Sequence, residues 1–597
     1  MGMAVKPIQS CGGHNVTGLA ETGGTPPGSA ILVRLMAPDA DRPPTRFERW
    51  RNATLAPFEH RAFALFWWAT VASSFGSMIQ TVGAAWLMAT ISPSADQVAL
   101  VQAAGALPFF LLSLVAGALA DTRDRRSIML VSQFVSLAAS AVLATVALRG
   151  GITPSNLLWL TFLIACGMAG FAPAWQASIA DQVPRAQIAP AVMANAVGLN
   201  LARSLGPAAG GFIVAALGAA AAFIINTVSY LGIIATLLWW RPGRARSELP
   251  PEPLGTAIAA GVRYAGLSPH MLSILLRCVL YTTPIAAVPA LMPIVARDLL
   301  AGGAATYGIL LGSFGVGAML GALAGATLRS RLTSDALLRA LSALACLAMI
   351  GIGQSRWAAV TVLAHVLAGS VWTLGFATFN IAVQLSSPRW VMGRMLATYQ
   401  TIAFAAIALG SWCWGEFASI AGLREALTVA GIAALVSLVV ARLLPVAVEQ
   451  LGSFDPRARV ELTPPTVEIH AASGPVVVEI EYRVAPADAV EFVAVINEFG
   501  RIRRRDGARA WSIGQDIDTL DRWVERFECP TWLDYLRWRT RPTESDQAVR
   551  ARLARLLVGD YHVRRLVVRP PGADPLGAPA ASAREGADGE GNLPASW

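Results

Sequence analysis

Twelve stretches of the chain, each about twenty residues long or longer and nearly free of charge, recur between residues 63 and 443. A helix needs about 20 apolar residues to cross the roughly 30 Å hydrocarbon core of a bilayer. In lipid, every backbone N–H and C=O must also find its partner within the protein. Together these demands leave a bundle of spanning helices. The expected spans are 63–91, 98–120, 127–148, 157–180, 189–217, 219–240, 272–296, 306–328, 334–353, 358–383, 394–419 and 427–443. Composition agrees, since 55% of the 597 residues are hydrophobic and 14% charged, against about 25% charged in a soluble domain. A purely cytosolic enzyme is excluded.

The net charge of +9 is first of all a topology signal. With both termini placed inside, the inner loops hold Arg123, Arg125, Arg126, Arg185, Arg241, Arg244, Arg246, Arg263, Arg329, Arg331, Arg389 and Arg394; the outer loops hold only Arg149, Arg297, Arg356 and Arg424. The positive-inside rule therefore puts both ends in the cytoplasm. A nucleic-acid partner would need its arginines on one soluble face, so none is expected. The six cysteines stand singly, without a metal-ligand or disulfide spacing, and neither a metal nor a cofactor is expected. No glycine-rich phosphate loop with its Lys and Ser/Thr is present, which argues against direct ATP drive.

An internal repeat organises the spans. Gly117-Ala-Leu-Ala returns as Gly321-Ala-Leu-Ala, Pro184-Arg185 as Pro388-Arg389, and Gly206 and Gly211 as Gly410 and Gly415, every pair 204 residues apart. One offset shared across separate loops and helices points to two six-helix halves, 61–240 and 272–444, joined by a cytoplasmic linker at 241–271. Such duplicated halves characterise transporters that rock about a midplane site. The flanks read as a disordered basic tail at 1–60 without a cleavable signal, a linker at 445–474, a soluble domain at 475–570 and a disordered tail at 571–597.

The loop after the second span reads Gly117-Ala-Leu-Ala-Asp121-Thr-Arg123-Asp124-Arg125-Arg126. It resembles the signature loop of the major facilitator superfamily. The resemblance implies that Asp121, with Arg125 and the start of the eleventh span near Arg394, latches the inward-closed state. In the second half Gly325 stands where Asp121 stands in the first, so that copy is degenerate. The fifth span carries Ala202-Arg203-Ser-Leu-Gly206-Pro207-Ala-Ala-Gly210-Gly211. This is similar to the motif of proton-coupled exporters in the superfamily, with Ala202 in place of the leading glycine. Pro207 cannot donate to the carbonyl of Arg203, so a bend is expected there. The glycines invite a neighbour, and the eighth span offers Gly308, Gly312, Gly317, Gly321 and Gly325; plain helix packing is the alternative reading of such a face, and the exporter reading is preferred.

Ionisable groups within the spans are few: Arg203, Arg277, His365 and Glu416. Facing lipid at mid-depth they would cost several kcal/mol each, so they are candidates for coupling or substrate binding. Against this, Arg277 could snorkel to the cytoplasmic edge, Glu416 could be an interfacial carboxylate, and His365 a hydrogen-bonded packing residue. Gln80, Gln176, Asn200, Asn380 and Gln400, with Trp67, Trp68, Trp86, Trp175, Trp372, Phe376, Phe379 and Tyr399, would suit an apolar, aromatic, hydrogen-bonding pocket.

From about residue 475 period-2 alternation (Val478, Ile480, Tyr482) and amphipathic segments predict the order βαββαβ, a ferredoxin-like α+β domain. It resembles the antibiotic-biosynthesis-monooxygenase fold, which implies homodimerisation. Joined to twelve helices, it makes the whole similar to the transmembrane secretion effectors, a branch related to enterobactin exporters. The strings carrying this are the Asp121 loop, Gly206-Pro207, Tyr482-Arg-Val-Ala-Pro486, Asp506-Gly-Ala, Trp511, Glu525-Arg-Phe, Trp532 and Leu536-Arg. The resemblance implies a secondary exporter in a bacterial inner membrane, moving a drug-like compound, secondary metabolite or siderophore by alternating access, with proton antiport. The alternative is a membrane-anchored enzyme or sensor, with His562, Tyr535, Trp511 and Asp516 as residues of a soluble site. The duplicated halves argue against it, since an anchor has no use for two interlocking bundles.

Overall fold

The computed structural model describes residues 56–122, 124–184, 187–241, 254–388, 391–446, 469–539 and 546–569. Both expected tails fall almost wholly outside the described residues, as do Arg123, Arg185, Arg244, Arg246 and Arg389. The first half comprises α1 (Arg61–Ile91), α2 (Ala95–Thr122), α3 (Arg125–Leu148), α4 (Pro154–Ser178), α5 (Ile188–Leu217) and α6 (Ala219–Trp239). The linker contains an unforeseen helix, α7 (Leu254–Leu267). The second half comprises α8 (Pro269–Ile285), α9 (Ala287–Ile294), α10 (Ala304–Arg331), α11 (Ser334–Gln354), α12 (Ala358–Leu385), α13 (Met392–Ala421) and α14 (Leu423–Val440).

Among the described residues, 11 helical segments are long and apolar enough to cross a membrane, α8 and α9 counting as one of them through Leu299. The expected single span at 272–296 is thus divided at Ala286, and Pro284 and Pro293 lie inside the two pieces. Each proline removes one donor from the helical ladder. Polar side chains set several helix starts: Asp124 accepts from the Ser127 N–H at 3.0 Å, Thr153 and Asn156 form a capping box, and Thr333 accepts from Ala336.

The duplication is visible in the backbone. α5 and α13 are both 30 residues long, and their first residues, Ile188 and Met392, are 204 apart. Each ends at a glycine in the left-handed region, Gly218 at φ 82° and Gly422 at φ 104°, whose N–H closes the helix on Val214 and Ala418 respectively. A side chain at these joints would be strained. Pro207 lies inside α5, which continues through it as one helix.

Consecutive helices joined by short connections run antiparallel. The end where α1 begins, bearing the α2–α3 loop, is here called the loop end, and the opposite one the far end. The halves meet through α2 against α13 and α5 against α10, a pairing that the 204-residue offset maps onto itself. Near the far end, a Cβ on Gly211 would stand 2.2 Å from the Gly308 Cα, and one on Gly415 2.4 Å from the Ala99 Cβ. Backbones approach so closely only where side chains are absent. This corrects part of the expected glycine seam. Gly206 and Gly210 face Met78, Ile79 and Val82 of α1, while Gly317 and Gly321 face Val366 and Ser370 of α12.

The C-terminal domain has four antiparallel strands, β1 (Val476–Arg483), β2 (Arg509–Gln515), β3 (Arg522–Cys529) and β4 (His562–Val567), in the order β2-β3-β1-β4. Its helices are α15 (Ala489–Asp506), α16 (Trp532–Arg539) and α17 (Gln547–Arg555). The alternation of β1 puts Val476, Val478, Ile480 and Tyr482 into a core with Phe492, Ile496, Phe499 and Phe527. Inside that core Glu525 is fully buried and accepts from Arg503 (3.0 and 3.1 Å), Tyr482 (2.8 Å) and Trp511 (2.7 Å). Burial holds the Tyr482 hydroxyl in its neutral form, its pKa well above the usual value, and the neighbouring carboxylate adds to this.

The domain rests on the linker helix. α15 packs on α7, and the Arg505 guanidinium lies 5.3 Å from the centre of the buried Tyr264 ring. Asp506 (2.8 Å) and Asp546 (2.9 Å) pair with Arg505. Burial disfavours its charge, but the two carboxylates prevail and hold its pKa above the ordinary value. α7 in turn packs on α2, α8 and α13.

Candidate functional site

A cavity of 2380 Å³ lies between the halves, reaching from Tyr307 and Ala84 toward the far end to Gly117, Arg329 and Arg394 at the loop end. Spanning helices of both halves line it, including α1, α2, α4 and α5 of the first and α10, α12 and α13 of the second. At the far end the halves are held together. Besides the two glycine contacts, Trp86 stacks on Tyr307 at 6.0 Å, and Arg297 donates to the carbonyl oxygens of Ala89 and, at 3.1 Å, Ser92. A guanidinium suits that place, because the last carbonyls of α1 carry partial negative charge and lack helical donors.

Of the polar and aromatic candidates, Gln80, Gln176, Asn200, Asn380, Gln400, Trp175, Trp372, Phe376 and Tyr399 line the cavity. Gln80 is engaged within the first half, accepting from Ser140 at 3.0 Å and from Asn226, which also donates to the Tyr230 hydroxyl at 3.2 Å. Asn380 accepts from Gln384 at 2.6 Å, and the Tyr399 hydroxyl donates to the Phe376 carbonyl at 3.1 Å. Four of the aromatic candidates lie elsewhere. Trp67 donates to the Ala194 carbonyl, Trp68 is 65% exposed, Trp86 belongs to the far-end closure, and Phe379 is packed on Tyr281.

The four ionisable candidates separate sharply. Arg203 lines the cavity beside Asn200 and Pro207 on α5; Ala202 is fully buried and is not among the lining residues. Arg277 does not line it. Its guanidinium is fully buried and ion-paired with Asp335 at 2.7 Å, and it also donates to the Leu444 carbonyl at 3.2 Å. His365 is fully buried in α12, with Nδ1 2.7 Å from the Thr361 carbonyl. Glu416 is exposed close to the far-end terminus of α13. Arg277, His365 and Glu416 are therefore corrected from cavity residues to a packed ion pair, a packing histidine and an end-of-helix carboxylate.

Two arginines that follow α2, Arg125 and Arg126, bind groups of their own half. Arg125 pairs with Asp181 at 2.8 Å and donates to the Ala177 carbonyl. Arg126 donates to the carbonyls of Leu237 (2.7 Å) and Leu238 (3.1 Å), capping the end of α6. Gly117 borders the cavity, while Arg123 and the side chain of Asp121 lie outside the described residues. Sequence reasoning missed Asp181, though a lone carboxylate three residues before Pro184, in the loop between the fourth and fifth spans, was a usable signal. It also missed the Arg297 contact, which no local pattern announces.

The soluble-domain candidates do not converge. Trp511 binds Glu525, Tyr535 stacks between Trp532 and Trp538, Asp516 caps its own turn and pairs with Arg522, and His562 is exposed at the start of β4.

Comparison with known proteins agrees with this geometry. The chain is 27% identical over 404 residues to the multidrug efflux pump Tap of Mycolicibacterium fortuitum, covering 64% of this chain and 95% of that protein. It is 26% identical over 164 residues to the staphyloferrin A transporter of Staphylococcus aureus, covering 27% and 41%. Its fold matches the crystal structure of a bacterial homologue of the lysosomal transporter Spinster, inward-facing and occupied, at TM-score 0.53 and 15% identity, covering 66% of this chain and 97% of that one. The family profile of transmembrane secretion effectors matches residues 52–569, most of the chain. The chain thus belongs to the transmembrane secretion effectors, a family of major facilitator transporters and not of enzymes.

Proposed function

We propose that the chain exports a small organic molecule from the cytoplasm by alternating access, exchanging it for protons. The observation that carries this reading is the asymmetry between the two ends: the halves are knitted together at the far end, and the cavity between them extends to the loop end. A molecule entering at the loop end would leave when the far-end contacts part. The loop end bears most of the arginines flanking the spans, which supports a cytoplasmic placement of that end and of both termini. The location would be a bacterial inner membrane. α5 would be the twelfth span, since its repeat partner α13 is one of the eleven. A drug-like compound or a siderophore is the substrate range that the names of the relatives support, and an aromatic cavity suits either. Asp121 would latch the loop-end closure.

The appended domain is read as ferredoxin-like, because its strand order puts β1 and β3 in the centre with β2 and β4 at the edges. Its monooxygenase-like ancestry, its siderophore-exporter kinship and its pairing into dimers belong to the same proposal. A non-catalytic role is supported by an interior filled with the Glu525–Arg503 pair.

Everted vesicles energised by respiration test the reading. With drugs and siderophores offered as a panel, at least one should accumulate only when the chain is expressed, and a protonophore should abolish the accumulation. Uptake of none contradicts export, and uptake indifferent to the protonophore contradicts proton exchange.

A further inference from the structure

We infer that Arg203 is an anion-binding residue of the cavity and that the transported molecule is an organic anion with an apolar, ring-bearing body. The inference rests on the export reading for its physiological meaning, but not for its test. Among the described residues lining the cavity, the charged side chains are Arg203, Arg329 and Arg394; no aspartate, glutamate or histidine is among them. Arg203 makes no ion pair and no side-chain hydrogen bond among the described residues, and the same holds for Arg329. Arg277 shows the contrast: where a guanidinium serves packing in this bundle, Asp335 neutralises it at 2.7 Å.

Depth matters as much as charge. Arg203 follows Ile188 by 15 residues and precedes Leu217 by 14, so it stands about 22 Å from either end of α5 at 1.5 Å per residue. A lone guanidinium at that depth is costly in a bilayer unless water or an opposite charge reaches it. A cavity reaching the loop end would admit water, and a bound anion would supply the charge. Arginine suits the task because its planar fork meets a carboxylate through two parallel hydrogen bonds. A cleft lined by one sign of charge also concentrates counter-ions along it; Arg329 and Arg394 near the mouth and Arg203 at mid-depth would form such a path. Trp372 and Phe376 line the same cavity and are only half-buried, offering faces for an apolar ring.

Three probes sharing one ring separate charge from shape: 1-naphthoate, 1-naphthalenemethanol and 1-naphthylmethylamine. Equilibrium binding to the purified full chain in nanodiscs, corrected for empty nanodiscs, should show naphthoate held about tenfold to a hundredfold tighter than the alcohol, the range of one hydrogen bond to a charged group. The amine should bind weakest. Arg203→Gln should bring naphthoate down to the level of the alcohol while alcohol binding stays as it was, which also reports an intact cavity. Arg203→Lys should keep the order of the three probes. Failure of naphthoate to bind, an amine bound as tightly as naphthoate, or an anion preference that survives Arg203→Gln would each overturn the assignment. Charge-selective binding without vesicle uptake would sink the export reading alone; export of neutral and cationic compounds with no anion preference would sink this one alone.

Discussion

Two arginines, one in each half, sit within apolar helices and have opposite surroundings. Arg277 of α8 is sealed in protein, paired with Asp335 from α11 and bound to the Leu444 carbonyl beyond α14. Arg203 of α5 stands in the wall of a wide cavity whose described lining holds no carboxylate. The sequence presents them alike, as rare charges in expected spans. The difference teaches that scarcity of charge identifies candidates, whereas the partner decides between architecture and recognition. A buried ion pair broken on one side leaves an uncompensated charge in a dry place; an arginine facing a wet cavity can lose its charge without harm to the fold.

The contrast can be broken in several ways. The largest effect is expected at the far-end contact. Gly308→Val would place a side chain where even a Cβ comes within 2.7 Å of the Gly211 Cα. Export should fall to background with the protein still in the membrane, and full export in vesicle assays would contradict the assigned closure. Asp121→Asn should impair export nearly as much, through loss of the loop-end latch, and unchanged efflux would remove that assignment. Arg277→Ala should destabilise the second half by about 2–5 kcal/mol, the cost of emptying a fully buried site, while Asp335 keeps Arg339 at 3.1 Å; this is read as loss of protein and a lowered unfolding temperature. The double change Arg277→Met with Asp335→Leu should recover much of that loss, because apolar side chains refill the site and no guanidinium remains buried there. If Arg203→Gln proved as destabilising as Arg277→Ala, the distinction drawn between the two residues would fail.

Smaller effects are expected from the appended domain. A chain ending at Val446 keeps the Leu444 carbonyl that Arg277 uses and should retain measurable export; complete loss with normal insertion would show that the domain is required. Arg505→Ala removes the group that pairs with Asp506 and Asp546 over the Tyr264 ring. Limited proteolysis should then cut the linker around α7 faster, with at most a modest change in export.

What was legible in the sequence follows what is local. Apolar runs, the 204-residue offset and the alternation of β1 depend on neighbours in the chain, and the elements follow them closely. The prolines around Ala286 were visible too, though their consequence, a divided seventh span, depends on how α8 and α9 fit their neighbours. The helix α7 went unrecognised because most of its surrounding linker is rich in Pro and Arg. Pairings across long separations were not legible: Arg277 with Asp335, Arg125 with Asp181, and Arg297 with the end of α1 arise only when helices are placed side by side. For the same reason the glycine seam was half right, since spacing shows that a face is small but not which helix lies against it.

The central claim is that the two ends of the bundle open in opposition. Spin labels at Ser92 and Ala301 report the far end across the halves, and labels at Ser127 and Ser334 report the loop end. Distances measured by pulsed electron resonance, in nanodiscs at neutral and acid pH with and without 1-naphthoate, should show the far-end pair lengthening in the conditions that shorten the loop-end pair. Two distances that stay fixed, or that lengthen together, would contradict the account.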